Sequence, residues 1–242
     1  MAARLLLIED DASIARFVEL ALQELPHHDP AAPRVELQVV RDLASARTAL
    51  AQGGWQLVIS DLMLPDGSAE ALLVEGLALA PGAPAWVVFS AGLHEERRVA
   101  LAERGVARLL RKPVPLVELL DVIAEMLRTQ PDPGQGVSPP AAAAADDPVA
   151  RHFGGDRGLY EAFRAGCIER FAGDLAEGDA ALAAGDRQGL RRVAHGLKAV
   201  LELLGDARLA ATARELEDAA AADAPVAAGW TALAEGLRRL RA

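Results

Sequence analysis

Between residues 4 and 128, short apolar runs alternate with longer stretches in which apolar residues recur every three or four positions. The short runs predict five strands, at Leu5–Ile8, Val35–Val40, Leu57–Ile59, Trp86–Phe89 and Arg108–Leu110. The stretches between them predict amphipathic helices, and Leu25–Pro33 is predicted as a loop. Strands that alternate with helices predict a parallel sheet covered on both faces, so we expect a doubly wound α/β domain over residues 1–129.

The second half of the chain has a different pattern, because its apolar residues keep helical spacing and never alternate. Four stripes are present, at Tyr160–Leu175, Leu190–Leu204, Leu209–Leu216 and Trp230–Leu240. Turn signals separate them, at Gly185-Asp186, Gly205-Asp206 and Ala224-Pro225. We therefore predict an all-α four-helix bundle over residues 149–242. Residues 130–148 are rich in Pro, Ala, Gly and Asp without periodicity, which predicts a linker.

Composition narrows the classes of partner. The net charge of −10 argues against a basic nucleic-acid-binding surface, so we expect no nucleic-acid partner. The single cysteine, Cys167, excludes an internal disulfide and is typical of a reducing compartment. No apolar run approaches the roughly 20 residues of a membrane-spanning helix. A cytoplasmic protein without direct membrane insertion is the expectation.

Acidic residues follow two of the predicted strands. Glu9 and Asp10 come directly after the first strand, and Asp61 follows the third. Ligands of open parallel sheets bind at the carboxyl ends of the strands, so these carboxylates are expected to converge there. Carboxylates without histidine or cysteine favour a hard cation such as Mg²⁺, which suits phosphoryl chemistry. The alternative is that Asp10 or Asp11 only caps a helix beginning at Ala12.

Two further polar residues lie at the ends of the remaining strands of this edge. Ser90 ends the fourth strand, and its hydroxyl could donate to a phosphoryl oxygen. Lys112 follows the fifth strand, where its ammonium group could pair with a phosphoryl group. Pro113 offers a position for a cis peptide bond. Each residue alone is a weak signal, but together they describe a phosphorylation site.

The motifs at these strand ends are IEDD (Ile8–Asp11), DLMLPDG (Asp61–Gly67), FSA (Phe89–Ala91) and KP (Lys112-Pro113). In order and spacing, this set resembles the receiver domain of bacterial two-component response regulators. The resemblance implies a flavodoxin-like five-stranded sheet in which Asp61 is the phosphoacceptor. It implies that Asp10, Asp61 and the backbone carbonyl of Met63 bind Mg²⁺ and that Glu9 assists through a water molecule. It implies contact with the phosphoryl group by Ser90 and Lys112. Leu109 replaces the aromatic residue that is usual in the fifth strand.

His195 is the candidate chemical residue of the second half. It lies between Val193 and Leu197 of one apolar stripe, so at 100° per residue it is predicted to point away from that stripe and to be exposed. Lys198 shares its face, and a neutral imidazole near cations can carry a phosphoryl group. The alternative is an ordinary solvated histidine.

The sequence around this histidine, AHGLKAVLELLG (Ala194–Gly205), resembles the signature of histidine phosphotransfer (HPt) domains. The resemblance implies that His195 carries the phosphoryl group and that Lys198 stabilises it. The family usually has glycine where this chain has Ala199, and smaller residues than Val200 and Leu201 after it.

A receiver joined to an HPt domain resembles the middle links of a phosphorelay. The sequence shows no Gly-rich nucleotide loop of a kinase, so the phosphoryl group would come from another protein or a small acyl phosphate. The expected partners are a sensor histidine kinase, a separate response-regulator receiver, or both. Two alternatives remain: a binding module controlled by phosphorylation, whose HPt domain docks a partner without relaying phosphate, or a phosphate sink.

Overall fold

The computed structural model describes residues 2–90, 95–128 and 147–241. The chain divides into two compact units, residues 1–144 and 145–242. Most of the linker predicted for residues 130–148 lies outside the described residues. Its last residue, Pro148, begins a helix whose N-cap is Asp147.

The N-terminal unit is an α/β sandwich, as predicted. Its elements in chain order are β1 (Ala3–Ile8), α1 (Ala12–His28), β2 (Val35–Val40), α2 (Leu43–Gln52), β3 (Leu57–Asp61), β4 (Met63–Leu64), β5 (Gly67–Ser68), α3 (Glu70–Val74), β6 (Ala85–Ser90), α4 (Glu95–Glu103), β7 (Val106–Arg111) and α5 (Leu116–Arg128). The main sheet has the order β2-β1-β3-β6-β7, and all its neighbours are parallel. This is the flavodoxin-like order, so the predicted fold class is confirmed.

The three central strands explain why the polar residues that follow them lie at one edge of the sheet. Leu5–Ile8 of β1 is fully buried, as are the corresponding residues of β3 and β6, because helices cover both faces of the sheet. Since the strands are parallel, their carboxyl ends share one edge, and the first polar side chains after these apolar runs meet there.

The predicted loop at Leu25–Pro33 is wrong at its start, because α1 continues through Pro26 to His28. Leu25 is buried, and its carbonyl oxygen accepts a hydrogen bond from the Asp29 N–H at 2.8 Å. His28 Nε2 lies 2.7 Å from Asp121 Oδ1 on α5. These tertiary contacts hold the last turn although a proline interrupts its backbone hydrogen bonding.

In the described residues of the C-terminal unit, 147–241, all regular elements are helices: α6 (Pro148–His152), α7 (Arg157–Ala184), α8 (Arg187–Leu203), α9 (Ala207–Ala221) and α10 (Ala227–Arg241). The four long helices form a closed ring of contacts, α7 with α8, α8 with α9, α9 with α10 and α10 with α7. The predicted helical bundle is confirmed, with the short α6 in addition. No helix in the described ranges is long and apolar enough to span a membrane.

The turn signals of this unit are helix boundaries. Gly185 has a left-handed backbone (φ 66°) at the end of α7, and the next residue, Asp186, accepts a hydrogen bond from the Gly189 N–H at 2.9 Å. Asp206 caps α9 in the same way through the Leu209 N–H. A glycine followed by an aspartate therefore ends one helix and begins the next.

Candidate functional site

Asp61 lies at the end of β3 with 3% of its surface exposed. Its Oδ1 accepts hydrogen bonds from the backbone N–H groups of Leu62 (2.5 Å) and Met63 (3.2 Å), and its Oδ2 lies 2.6 Å from Lys112 Nζ. The backbone just after β3 therefore orients one carboxylate oxygen of Asp61, while the lysine pairs with the other.

Lys112 joins two acidic residues. Its Nζ also lies 2.8 Å from Oε2 of Glu9, and 6% of the lysine side chain is exposed. Its backbone N–H donates to the Ser90 carbonyl at 2.7 Å, which ties the ends of β6 and β7 together beside Asp61. The Lys112-Pro113 peptide bond is cis. The structure thus brings to one edge the residues that the sequence placed at four strand ends.

The charge balance of this cluster favours a bound cation. One carboxylate oxygen from each of Glu9, Asp10 and Asp61 lies within 4.8 Å of the others. Burial raises the pKa of Glu9 to about 8, and Asp61 and Asp11 add to this rise against the opposing effect of Lys112. Burial, with Asp61 and Asp11, also raises the pKa of Asp10. Three crowded carboxyl groups around one ammonium group, with oxygen as the only donor type, fit a hard divalent ion such as Mg²⁺, because the ion would stabilise their ionised forms.

Leu109 lies on β7, three residues before the lysine. It is partly buried and packs against the core cluster that contains Trp86 and Leu101. An aliphatic side chain therefore stands at the position where the receiver resemblance implies an aromatic one.

His195 lies in the middle of α8, and the prediction that it is exposed is wrong. Its side chain is 16% exposed, because α9 packs along α8 and places Glu217 against the ring. Nδ1 of His195 lies 2.8 Å from Oε1 of Glu217, and Lys198 Nζ lies 2.5 Å from the other oxygen, Oε2. Ala199, one helical turn after His195, is buried.

Glu217 selects the tautomer of the His195 ring. Burial raises the pKa of Glu217, but hydrogen bonds and charge from His195 and Lys198 outweigh that effect and lower the pKa to about 2. A carboxylate acceptor places the imidazole proton on Nδ1, and the lone pair is then on Nε2. The arrangement is a nucleophilic nitrogen oriented by an anion, with an ammonium group one helical turn away.

The lowered pKa of Glu217 predicts a pH-dependent contribution to stability. Its folded-state pKa is about 2 and its unfolded value about 4.5, so the contribution is complete above pH 4.5 and is lost as the pH falls toward 2. The free energy of unfolding of the wild type should exceed that of Glu217→Gln by about 3 kcal/mol at pH 6, and the difference should shrink by pH 3. Urea unfolding at both pH values measures this, and a difference independent of pH would contradict it.

Sequence reasoning missed Glu217, although a signal was present. Ala213, Leu216 and Ala220 of α9 form a buried stripe, and Glu217 falls within the same arc of the helix. A charged residue on an apolar helix face needs a partner, and the histidine 22 residues earlier supplies it.

Comparisons with known proteins find one matching family model and several proteins that are similar to parts of this chain. Residues 163–242 match the family model of the Hpt domain. Over 140 residues, 58% of the chain, the sequence is 29% identical to the DNA-binding transcriptional regulator NtrC of Bradyrhizobium sp. (strain RP501 Parasponia), and the chain spans only 27% of that relative.

Solved structures with similarity to the chain include the non-phosphorylated HemR receiver domain of Leptospira biflexa, at 23% identity and a TM-score of 0.46, covering 54% of this chain and 98% of that one. Another is the chemotaxis response regulator CheY4 of Vibrio cholerae, at 18% identity and a TM-score of 0.45, covering 52% and 100%. The chain thus shows similarity to solved response-regulator receiver domains, and its residues 163–242 match the Hpt domain family model.

Proposed function

We propose that this chain is a phosphorelay protein in which Asp61 accepts a phosphoryl group and His195 carries one to or from a partner receiver. The observation on which this rests is that each unit holds a candidate nucleophile and a lysine in one cluster, in direct contact for Asp61 and through the shared carboxylate of Glu217 for His195. Asp61 lies 2.6 Å from Lys112, and the carboxylate that orients His195 lies 2.5 Å from Lys198. A sensor histidine kinase, a separate response-regulator receiver, or both would be the partners.

The first step uses the acidic edge of the N-terminal unit. A carboxylate oxygen of Asp61 attacks phosphorus, the bond from phosphorus to the donor breaks, and the donor leaves as a neutral imidazole or a small carboxylate. Lys112 then pairs with a phosphoryl oxygen in place of the carboxylate, and the Ser90 hydroxyl donates to another. Glu9, Asp10, Asp61 and the Met63 carbonyl would hold Mg²⁺, which supplies positive charge at the phosphoryl oxygens.

The second step uses the histidine. Nε2 of His195 attacks the phosphorus of an aspartyl phosphate, the P–O bond to that aspartate breaks, and its carboxylate is released. The Nδ1 proton stays in its hydrogen bond to Glu217, and Lys198 is the nearby cation for the phosphoryl charge. The aspartyl phosphate belongs to Asp61 or to a partner receiver.

The residues that depart from the HPt signature do not argue against transfer. Val200 and Leu201 are buried, with 2% and 0% of their surface exposed, so they pack in the bundle core. Their size therefore affects core packing rather than the surface that a partner would approach.

Label tracing tests the proposal. Wild type, Asp61→Asn and His195→Gln are incubated with radiolabelled acetyl phosphate and, separately, with a phosphorylated histidine kinase. Base-stable label is scored as phosphohistidine and base-labile label as phosphoaspartate. His28→Gln is the matched histidine control, since His28 pairs with Asp121 at the end of α1 and should not change the labelling.

We expect base-labile label that is lost in Asp61→Asn and base-stable label that is lost in His195→Gln. Base-stable label that also disappears in Asp61→Asn indicates transfer within the protein, whereas label on His195 that does not depend on Asp61 indicates exchange with an outside partner. If His195 is never labelled, even when a phosphorylated separate receiver is supplied as the donor, the relay is excluded, and the bundle is a phosphorylation-controlled binding module or the receiver a phosphate sink.

A further inference from the structure

The chain that follows Asp61 turns back as a small hairpin, and Asp66 lies at its tip. In the hairpin, β4 pairs with β5 through Met63 with Ser68 and Leu64 with Gly67. The Asp66 carboxylate reaches the first turn of α2, where Oδ1 accepts from the Leu43 N–H at 2.8 Å and Oδ2 from the Ala44 N–H at 3.2 Å. The tip of the hairpin is thus bonded to a helix that begins 23 residues earlier.

These bonds do not duplicate the local cap of α2. Asp42 is the N-cap, and its Oδ1 accepts from the Ser45 N–H at 2.7 Å while its carbonyl accepts from the Ala46 N–H at 3.0 Å. The two aspartate side chains therefore accept hydrogen bonds from the N–H groups of Leu43, Ala44 and Ser45, three of the four that a helix start leaves without partners. Both bonds to Asp66 are charge-assisted and lie at the positive end of the helix dipole.

The close approach of the hairpin to α2 depends on a glycine in the hairpin. Gly67 has φ +144°, and a Cβ atom there would lie 3.0 Å from Leu43 Cδ1. Glycine therefore lets the hairpin lie against the helix while the neighbouring aspartate bonds to the helix N–H groups.

The base of the same hairpin borders the acidic cluster. The Met63 N–H donates to Asp61 Oδ1, and the Ala69 N–H donates to the Leu62 carbonyl at 3.0 Å. Leu64 is buried in the core cluster together with Leu43. The residue whose carbonyl would bind the ion is thus held between Asp61 on one side and the anchored tip on the other.

We propose that Asp66 is a positioning residue of the magnesium site, because it bonds the hairpin that bears the Met63 carbonyl to the start of α2. The carboxylate binds neither the ion nor the phosphoryl group. It restrains the backbone that supplies one ligand, so its loss lowers the affinity for the ion while the carboxylate ligands stay in place. This inference rests on the proposed function for the identity of the ion.

The test measures binding of Mn²⁺, as a probe for Mg²⁺, to the full chain by electron paramagnetic resonance, without phosphorylation. Asp66→Ala is expected to bind Mn²⁺ on the order of tenfold more weakly than wild type, at the lower end of what groups behind metal ligands contribute. Asp66→Asn, which keeps one acceptor oxygen, should recover part of the loss. Asp42→Ala is the matched control, because it removes a cap from the same helix end without touching the hairpin, and its affinity should stay within about twofold of wild type.

Wild-type affinity in Asp66→Ala would overturn the inference, and so would an equal loss in Asp42→Ala, which would show that capping of α2 in general is responsible. The metal assignment itself is tested separately by Asp10→Asn. If wild type binds no Mn²⁺, or if Asp10→Asn binds it as well as wild type, the assignment of the metal site in the proposed function fails, whatever the Asp66 variants do.

Discussion

Replacing Glu217 with alanine is expected to slow phosphoryl exchange at His195 by about 10- to 100-fold, the usual effect of removing a group that orients a reactive imidazole. Oε1 of the glutamate holds the Nδ1 proton at 2.8 Å, and Oε2 holds Lys198. Without the carboxylate, the imidazole samples both tautomers and other orientations, and the lysine loses the partner that holds it beside the ring. A smaller fraction of molecules then presents the Nε2 lone pair.

Single-turnover transfer from a phosphorylated receiver to the full chain measures this effect. Glu217→Gln should lie between alanine and wild type, because an amide oxygen still accepts from Nδ1 but carries no charge for Lys198. Glu215→Ala is the matched control, since Glu215 is an exposed glutamate on the same helix. Transfer by Glu217→Ala at the wild-type rate, or equal slowing by Glu215→Ala, would contradict the assigned role.

Gly178→Ala is expected to destabilise the helical unit by about 3 kcal/mol, at the upper end of the usual cost of overpacking. A Cβ atom at Gly178 of α7 would lie 2.0 Å from Cη2 of Trp230, well inside van der Waals contact. The indole of Trp230, on α10, is buried and cannot simply rotate away, because its Nε1 donates to Asp179 Oδ1 at 2.7 Å. Either α7 and α10 separate or that hydrogen bond is lost.

Hydrogen exchange by mass spectrometry measures the loss in α7 and α10 of the intact chain. Gly173→Ala is the control in the same helix, because a Cβ atom there meets nothing within 4 Å. That substitution should leave exchange unchanged or slow it, since alanine favours a helix over glycine by roughly 1 kcal/mol. Equal behaviour of the two variants would show that the contact with Trp230 does not limit stability.

The alternation of apolar runs with helical stripes was sufficient to predict both fold classes, because a strand buried on two faces leaves a continuous apolar run and a helix buried on one face leaves a period near 3.6 residues. The same pattern located the acidic edge: when parallel strands are identified, the residues after them must share that edge. Asp61 and Lys112 could therefore be paired from sequence, although 51 residues separate them. The end of α1 could not be predicted, since contacts with other elements outweighed the signal of Pro26.

By itself, the sequence determined the order of elements, the strand ends at which chemistry is possible and the histidine of the helical unit, because each depends on local pattern or on strand direction. Only the tertiary structure decided that Glu217 covers His195, that Asp66 bonds to α2 and that Gly178 lies beneath Trp230. Each of these depends on the register between two separate elements. That register is set by how side chains fill the space between them, and this packing leaves no periodic signal in either segment.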